Sequence, residues 1–407
     1  MGHPKISDKT LDILVDEMEG GLWAAAMADN KLHSLEVDPA NEEVRWGSLY
    51  WAKVTRIDKT LNAAYLDLDG DNTGILNAGD VVKDDCIVKS DKSIGQLLSP
   101  GDFCFVQAKE GKLALKEGEA YEDKSPRLSM NIALQGRYII YMPFQDEQRI
   151  SRRIRDKKIR KQMTTMLESM GDCKSAILRA SAMSAQTEIL VREYKILDAM
   201  WESLKEHGGG DTPQLIMLGP DSLQRTLSNA AARIIDTIEV VTMEQFEEAE
   251  EWCDLFAPDL MTKIRPVELE NPYDDLALFS YRDIFSEVDG LFQPYAILQG
   301  GGTIIIQETA ALTAIDVNRA ANTGSALHIN RIAAKEIARQ IRLRNLGGII
   351  MIDFLRMKKQ AEKKDLLKLF EKECLQDPCT VQVHGFTNLG LIEITRQRRT
   401  PSLGERF

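Results

Sequence analysis

The chain has 407 residues, 43 % of them apolar and 28 % charged, the composition of ordinary folded domains and a length that excludes a single small core. A net charge of −12 argues against a nonspecific nucleic-acid binder, so any contact with phosphates must come from local clusters of Lys and Arg. Six cysteines without a Cys-x-x-Cys pair, five histidines, no apolar run of membrane-spanning length and no signal-peptide pattern point to a reduced, soluble, cytoplasmic protein with no disulfide framework and no zinc site.

In chain order, Gly21 to Ala28 and Leu32 to Val37 flank Asp29-Asn30-Lys31, which predicts a hairpin with a tight polar turn. From Gly47 the texture becomes short strands: Leu49 to Ile57, Ala63 to Leu68, Gly74 to Leu76, Phe103 to Ala108 and Lys112 to Leu115. Five such strands predict a small closed barrel of the OB type, the commonest small barrel that binds oligonucleotides. Tyr50, Trp51 and Tyr65 fall in its first strands, where a ring either stacks on bases or fills the core.

After the barrel, Arg137 to Met142 and Ala176 to Ala180 read as strands, with a helix from about Ile159 to Met170 between them. The run from Arg149 to Lys161 holds eight basic residues in thirteen, either a solvated helix face or a phosphate-binding patch. A further helix, Glu188 to His207, ends at the breaker Gly208-Gly-Gly210. Gln214 to Leu218, a helix through Ala231 and Ile238 to Thr242 form an α/β segment too short to be a domain, which could complete a fold begun by the N-terminal hairpin.

From Leu278 a compact α/β unit is expected: strands Thr303 to Ile306 and Ala311 to Asp316, a helix from about His328 to Asn345, the strand Ile349 to Asp353, a helix near Glu362 to Cys374, and strands Thr380 to Val383 and Leu391 to Thr395. Two of its strands end in aspartate, Ala314-Ile-Asp316-Val-Asn318 and Met351-Ile-Asp353-Phe, and the crossover helix between them implies one shared sheet. Both carboxylates would then emerge at the same edge. Such a pair, completed by waters and a substrate phosphate, suits magnesium. Asn318 lies on the same side of the strand as Asp316 and could orient its carboxylate.

The competing reading has each aspartate capping the turn or helix that follows it, and spacing alone does not choose. A metal-free nuclease would need histidine acid and base groups, but His328 and His384 sit in no recognisable arrangement. Metal activation is therefore the better mechanism for any nuclease built here. On the His328 to Asn345 helix, Arg331, Lys335, Arg339 and Arg342 gather opposite the apolar stripe, as a solvated face or beside a phosphate backbone.

Ala311-Leu-Thr-Ala-Ile-Asp-Val-Asn318, the run from Glu336 to Phe354, and Thr395-Arg-Gln-Arg398 closely resemble the ribonuclease E/G family. Weaker matches extend to Gly47 to Leu76, Lys124-Ser-Pro-Arg127, Ile150-Ser-Arg-Arg-Ile154 and the hairpin, so that the resemblance covers nearly the whole chain. It implies a mixed α/β architecture: a ribonuclease H-like subdomain in two parts (1–46 and 213–277), an inserted OB-type RNA-binding barrel (47–132), a sensor-like subdomain for RNA 5′ ends (133–212) and a deoxyribonuclease-like catalytic subdomain (278–407).

The resemblance further implies a magnesium-dependent endoribonuclease that cuts single-stranded RNA and leaves 5′-phosphate and 3′-hydroxyl ends, with manganese as the alternative metal. Asp316 and Asp353 match the family's magnesium ligands and Asn318 their supporting partner; Lys124 and Arg127 match positions that face RNA, Tyr65 a barrel aromatic and Arg179 the 5′-end pocket, while Arg152 and Arg153 are expected to contact phosphates as part of the basic run. At the 5′-end pocket the family's Arg-Thr pair reads Arg179-Ala180, so RNAs with 5′-monophosphate and 5′-hydroxyl ends are expected to be cut at more similar rates than is usual in the family. Ile75 stands where the family carries a second barrel aromatic. Because the chain stops at Phe407, before the paired cysteines of long members, no zinc-linked tetramer is expected, and another homo-oligomer is left open. The rival readings are a noncatalytic RNA-binding protein of the same fold and a scaffold for other decay enzymes.

Overall fold

The computed structural model describes residues 10–406 apart from 84–85, 88–91, 116–123, 153, 155 and 231–232. By its internal contacts the chain falls into two units, Met1–Asp29 with Val37–Leu278, and Asn30–Glu36 with Phe279–Phe407.

Near the N-terminus the hairpin forms as expected: Asp29 and Asn30 take φ of 51° and 55°, the left-handed pair that a two-residue turn between strands requires. The sequence reading missed the strand before it, Leu11–Met18, which pairs antiparallel with Gly21–Ala28 and parallel with Ile235–Val240. Met243–Phe256 is a helix whose Ala249, Trp252, Cys253 and Phe256 are buried, so its acidic residues are the solvent side of an amphipathic element.

The barrel closes with five strands in the order Phe103–Ala108, Arg127–Ser129, Thr73–Asn77, Ala63–Asp67 and Leu49–Asp58, the first and last pairing with each other. Its fifth strand is thus Arg127–Ser129, and the expected Lys112 to Leu115 strand is not part of it. Lys112–Leu113 instead pairs with Glu42–Val44. The core decides between them: Leu128 is fully buried among Leu66, Leu76 and Val106, whereas Leu115 is exposed. Gly74 makes room for that strand, since a Cβ there would lie 2.5 Å from the Leu128 side chain. Gln214–Met217 adds to the outer edge of Leu49–Asp58.

Beyond the barrel, a four-stranded sheet (Leu134–Gln135, Ile139–Tyr141, Ala176–Leu178, Arg149–Ile150) packs with helices Lys157–Ser169 and Thr187–Glu206. The side chain of Asp156 caps the first helix by accepting the N–H groups of Lys158 and Ile159.

The second unit is built on strands β1 (Tyr295–Ile297), β2 (Thr303–Glu308), β3 (Thr313–Asn318), β4 (Gly348–Asp353), β5 (Thr380–Phe386) and β6 (Ile392–Gln397), with helices α1 (Ala326–Leu343) and α2 (Gln360–Cys374). The sheet order is β1-β2-β3-β4-β6-β5, and only the pair β3 and β4 runs parallel. Helix α1 is the crossover that such a pair needs. Ile304, Ile306, Ile315, Val317, Ile350, Ile352, Ile392 and Ile394 face the two helices and form the core, while the alternate residues face away. Gly348 begins β4 at φ +74°, a backbone conformation that an L side chain seldom adopts.

Candidate active site

Asp316 and Asp353 are register partners on the adjacent strands β3 and β4, at or near their carboxyl ends. In-register residues of neighbouring strands project to the same face about 4.8 Å apart, so the two carboxylates stand side by side on the face turned away from the helices. Both are exposed. Nδ2 of Asn318 donates to Oδ2 of Asp316 at 2.9 Å, which fixes that carboxylate and leaves its other oxygen turned elsewhere. The capping alternative does not apply to the helix after β3, because the cap of α1 is Ser325, whose side chain accepts the His328 N–H. Among the described residues no third His, Cys, Asp or Glu joins the pair to form a metal-holding group. Two carboxylates at the mouth of a sheet suit a hard cation that keeps most of its waters, and they do not make a zinc cage.

Three cations that the sequence reading passed over follow these strands directly. Arg319 succeeds Asn318, and Arg356 and Lys358 come shortly after Asp353; all three are exposed and make no side-chain hydrogen bond or ion pair among the described residues. Their closeness in sequence to the aspartates was the signal that could have found them.

The basic face of α1 is less free than its pattern suggests. Arg339 bonds to Glu336, Glu287 and the Leu32 carbonyl, and the buried Arg342 donates to the carbonyl of His33. Only Arg331 and Lys335 stay exposed there. Other charged residues of the stretches Glu336 to Phe354 and Thr395 to Arg398 are structural. Arg396 is buried against Asp377 at 2.9 and 3.1 Å and also donates to Asn345, while Asn345 reaches the carbonyls of Thr400 and Pro401. These bonds tie the end of α1 to β6 and the C-terminal segment. Arg344 donates to the carbonyls of Gln293 and Tyr295 and thereby pins the start of β1.

In the first unit, register places Arg56 beside Tyr65, Tyr65 beside Ile75, and Ile75 beside Arg127, a row across four barrel strands. The Arg56 guanidinium lies 4.1 Å from the centre of the Tyr65 ring, a cation–π contact. Arg56 is exposed and Arg127 half exposed, paired at 3.1 Å with Glu110. Lys124 is exposed three residues upstream. Tyr50 is core, and Trp51 packs on Phe103 and Phe105, so of the three rings only Tyr65 stands in this row.

Arg152 is exposed, whereas Arg153 lies outside the described residues. Arg160, in the same basic run, donates to the carbonyls of Ser151 and Ile154 and so holds the run's own turn. Arg179 is 9 % exposed, and its guanidinium donates to Gln135, Asn229 and the carbonyls of Gly136 and Ser228. Next to it, Ser181 is buried and donates to the Arg137 carbonyl.

Residues 133–399 match the model of the Ribonuclease E/G family. The chain is 30 % identical to ribonuclease E of Haemophilus influenzae over 398 residues, which cover 94 % of this chain and 41 % of that protein. With ribonuclease G of Escherichia coli strain K12 it shares 26 % identity over 409 residues, covering 97 % of this chain and 81 % of the relative. A similar match, 27 % over 393 residues, links it to ribonuclease E of Nostoc and covers 55 % of that protein. The chain therefore spans about half or less of the two ribonuclease E proteins and about four fifths of the ribonuclease G protein.

Proposed function

The chain belongs to the ribonuclease E/G family, and on that premise we propose that it is a magnesium-dependent endoribonuclease cutting single-stranded RNA into products with 5′-phosphate and 3′-hydroxyl ends. The observation that carries the reading is the register of Asp316 with Asp353 at the carboxyl ends of the parallel pair, with the Asn318 amide 2.9 Å from one carboxylate oxygen. Asp316 and Asp353 would hold the metal, and manganese is the alternative occupant. When bound, magnesium supplies the charge that makes a water nucleophilic near neutral pH and offsets negative charge on the phosphate.

The chain's own groups do the rest. Asn318 keeps Asp316 in a single orientation, and the free cations Arg319, Arg356 and Lys358 draw the RNA backbone to an otherwise acidic edge. On the first unit, the row Arg56, Tyr65, Ile75 and Arg127, with Lys124 beside it, offers one stacking face between cations, a sequence-tolerant way to hold a single strand. Arg152, exposed, would add a phosphate contact from the basic run, Arg153 being its neighbour in the sequence, and Arg179 would support the 5′-end pocket from within. We read the architecture as a ribonuclease H-like subdomain interrupted by the barrel, followed by the sensor-like and deoxyribonuclease-like subdomains, a cytoplasmic protein acting in RNA processing and decay.

The test is cleavage of an unstructured, end-labelled RNA with magnesium, with EDTA, and with Asp316→Asn or Asp353→Asn. Each substitution keeps side-chain shape and removes one anionic ligand, so cleavage should fall by orders of magnitude while RNA affinity changes little, since the removed charge is acidic. Near-normal cleavage by both folded variants would defeat the proposed centre. RNA binding by the wild type without any metal-dependent cleavage would instead support a noncatalytic RNA-binding protein.

A further inference from the structure

The register that joins the two aspartates continues across the sheet. Asp316 pairs with Ile305 on β2, and Ile305 pairs with Tyr295 on β1. Tyr295, Ile305, Asp316 and Asp353 therefore form one cross-strand row on the face turned away from the helices. Ile305 is 36 % exposed and Tyr295 45 % exposed, and no ring contact or hydrogen bond ties down the Tyr295 side chain among the described residues. Its backbone is nevertheless held, because its carbonyl accepts from Arg344 at 3.2 Å and β1 is paired along β2. An exposed aromatic beside an exposed isoleucine is an apolar platform on a rigid strand, adjoining a pair of carboxylates.

We propose that Tyr295 and Ile305 form a base-stacking subsite of the cleavage centre, taking one unpaired nucleobase of the RNA next to the phosphate held at Asp316 and Asp353. The inference rests on the proposed nuclease reading for what lies at the carboxylates. Two strand spacings separate Tyr295 from Asp316, about 10 Å, within reach of a base whose own phosphate sits at the aspartates. Isoleucine provides a flat apolar wall next to the metal-binding edge, and the tyrosine ring provides the stacking face. Neither offers a donor or acceptor aimed at a base edge except the phenol at the rim. The subsite thus favours the larger π surface of a purine and reads no hydrogen-bonding pattern.

The experiment measures affinity, independently of cleavage, in the Asp316→Asn protein with and without Tyr295→Ala. The ligand is a short unstructured RNA in which each nucleotide in turn is made abasic, and the wild-type cut is mapped on the same RNA. One abasic position adjoining the cut should cost about tenfold in affinity, the scale of a lost aromatic stack. Tyr295→Ala should cost about the same on the intact RNA and erase the penalty at that position alone, and Tyr295→Phe should behave as the parent. An abasic penalty that survives Tyr295→Ala, or Tyr295→Phe losing affinity as Ala does, overturns the subsite. So does a Tyr295→Ala change in oligomeric mass with RNA affinity unaltered, which would make the patch a contact with a second copy. If the wild type does not cut, the nuclease reading fails separately, since the abasic scan still reports whether a base sits on Tyr295.

Discussion

Arg179 occupies the position where the family's sensor arginine is expected, yet its guanidinium donates to four protein acceptors and is nearly excluded from water. A charged donor group so buried holds the Gly136 turn against Ser228 and Asn229, and removing it strands several acceptors. Arg179→Ala should therefore destabilise the protein by about 2 kcal/mol, read from the urea midpoint. Because Ala180 brings no hydroxyl and Ser181 is turned to the Arg137 carbonyl, RNAs with 5′-monophosphate and 5′-hydroxyl ends should be cut within a few-fold of each other. Parallel time courses on the two RNAs check this, and a strong monophosphate preference would mean that the pocket opens on binding. The arginine was legible in the sequence as a motif match, but which way its donors point depends on a helix some fifty residues later in the chain. No local pattern encodes that.

At the scale of elements, the helix Thr187–Glu206 sends Glu193 into the same turn. Its carboxylate is 3 % exposed and accepts the N–H groups of Arg137 and Tyr138, and a Cβ on Gly136 would lie 2.6 Å from it. Burial pushes its pKa up to about 7 from 4.5, against the lowering effect of the backbone donors and Arg179. A carboxyl whose folded pKa exceeds its unfolded value stabilises the fold below the unfolded pKa and loses that contribution as pH rises through the folded one. Glu193 should thus make stability fall between about pH 4.5 and 7, and Glu193→Gln should flatten that part of the profile. Urea midpoints across pH 4.5 to 8 for both proteins test it, an unchanged slope being the contrary result. The helix itself was visible as an apolar-periodic segment. The buried glutamate on it was not, because its partner is a pair of backbone amides with no sequence signature.

For the whole molecule, a net charge of −12 leaves the proposed attraction for RNA to segregated patches, among them exposed Arg152, Lys157, Lys158 and Lys161 and the barrel row. Affinity for a single strand should fall steeply with salt, and Arg152→Ala should reduce the log–log slope by about 0.7, the release expected for one phosphate contact. An unchanged slope would remove Arg152 from the interface. Such patches are legible in the sequence as local runs of charge, but not every cation in them is free: Arg160 caps its own turn, and Arg339 and Arg342 bond within their unit. The aspartates ending two apolar strands, the crossover helix between them, the tight Asp29-Asn30 turn and four of the five barrel strands were all set by the sequence itself, because strand alternation, helix periodicity and turn chemistry are local properties. Only the tertiary structure decided that Asp316 and Asp353 share a register, that Leu128 rather than Leu115 closes the barrel core, and that Tyr295 and Ile305 continue the carboxylate row. Register is fixed by how distant strands bury their alternate faces against one common set of helices, and a single strand carries no record of which neighbour it will meet.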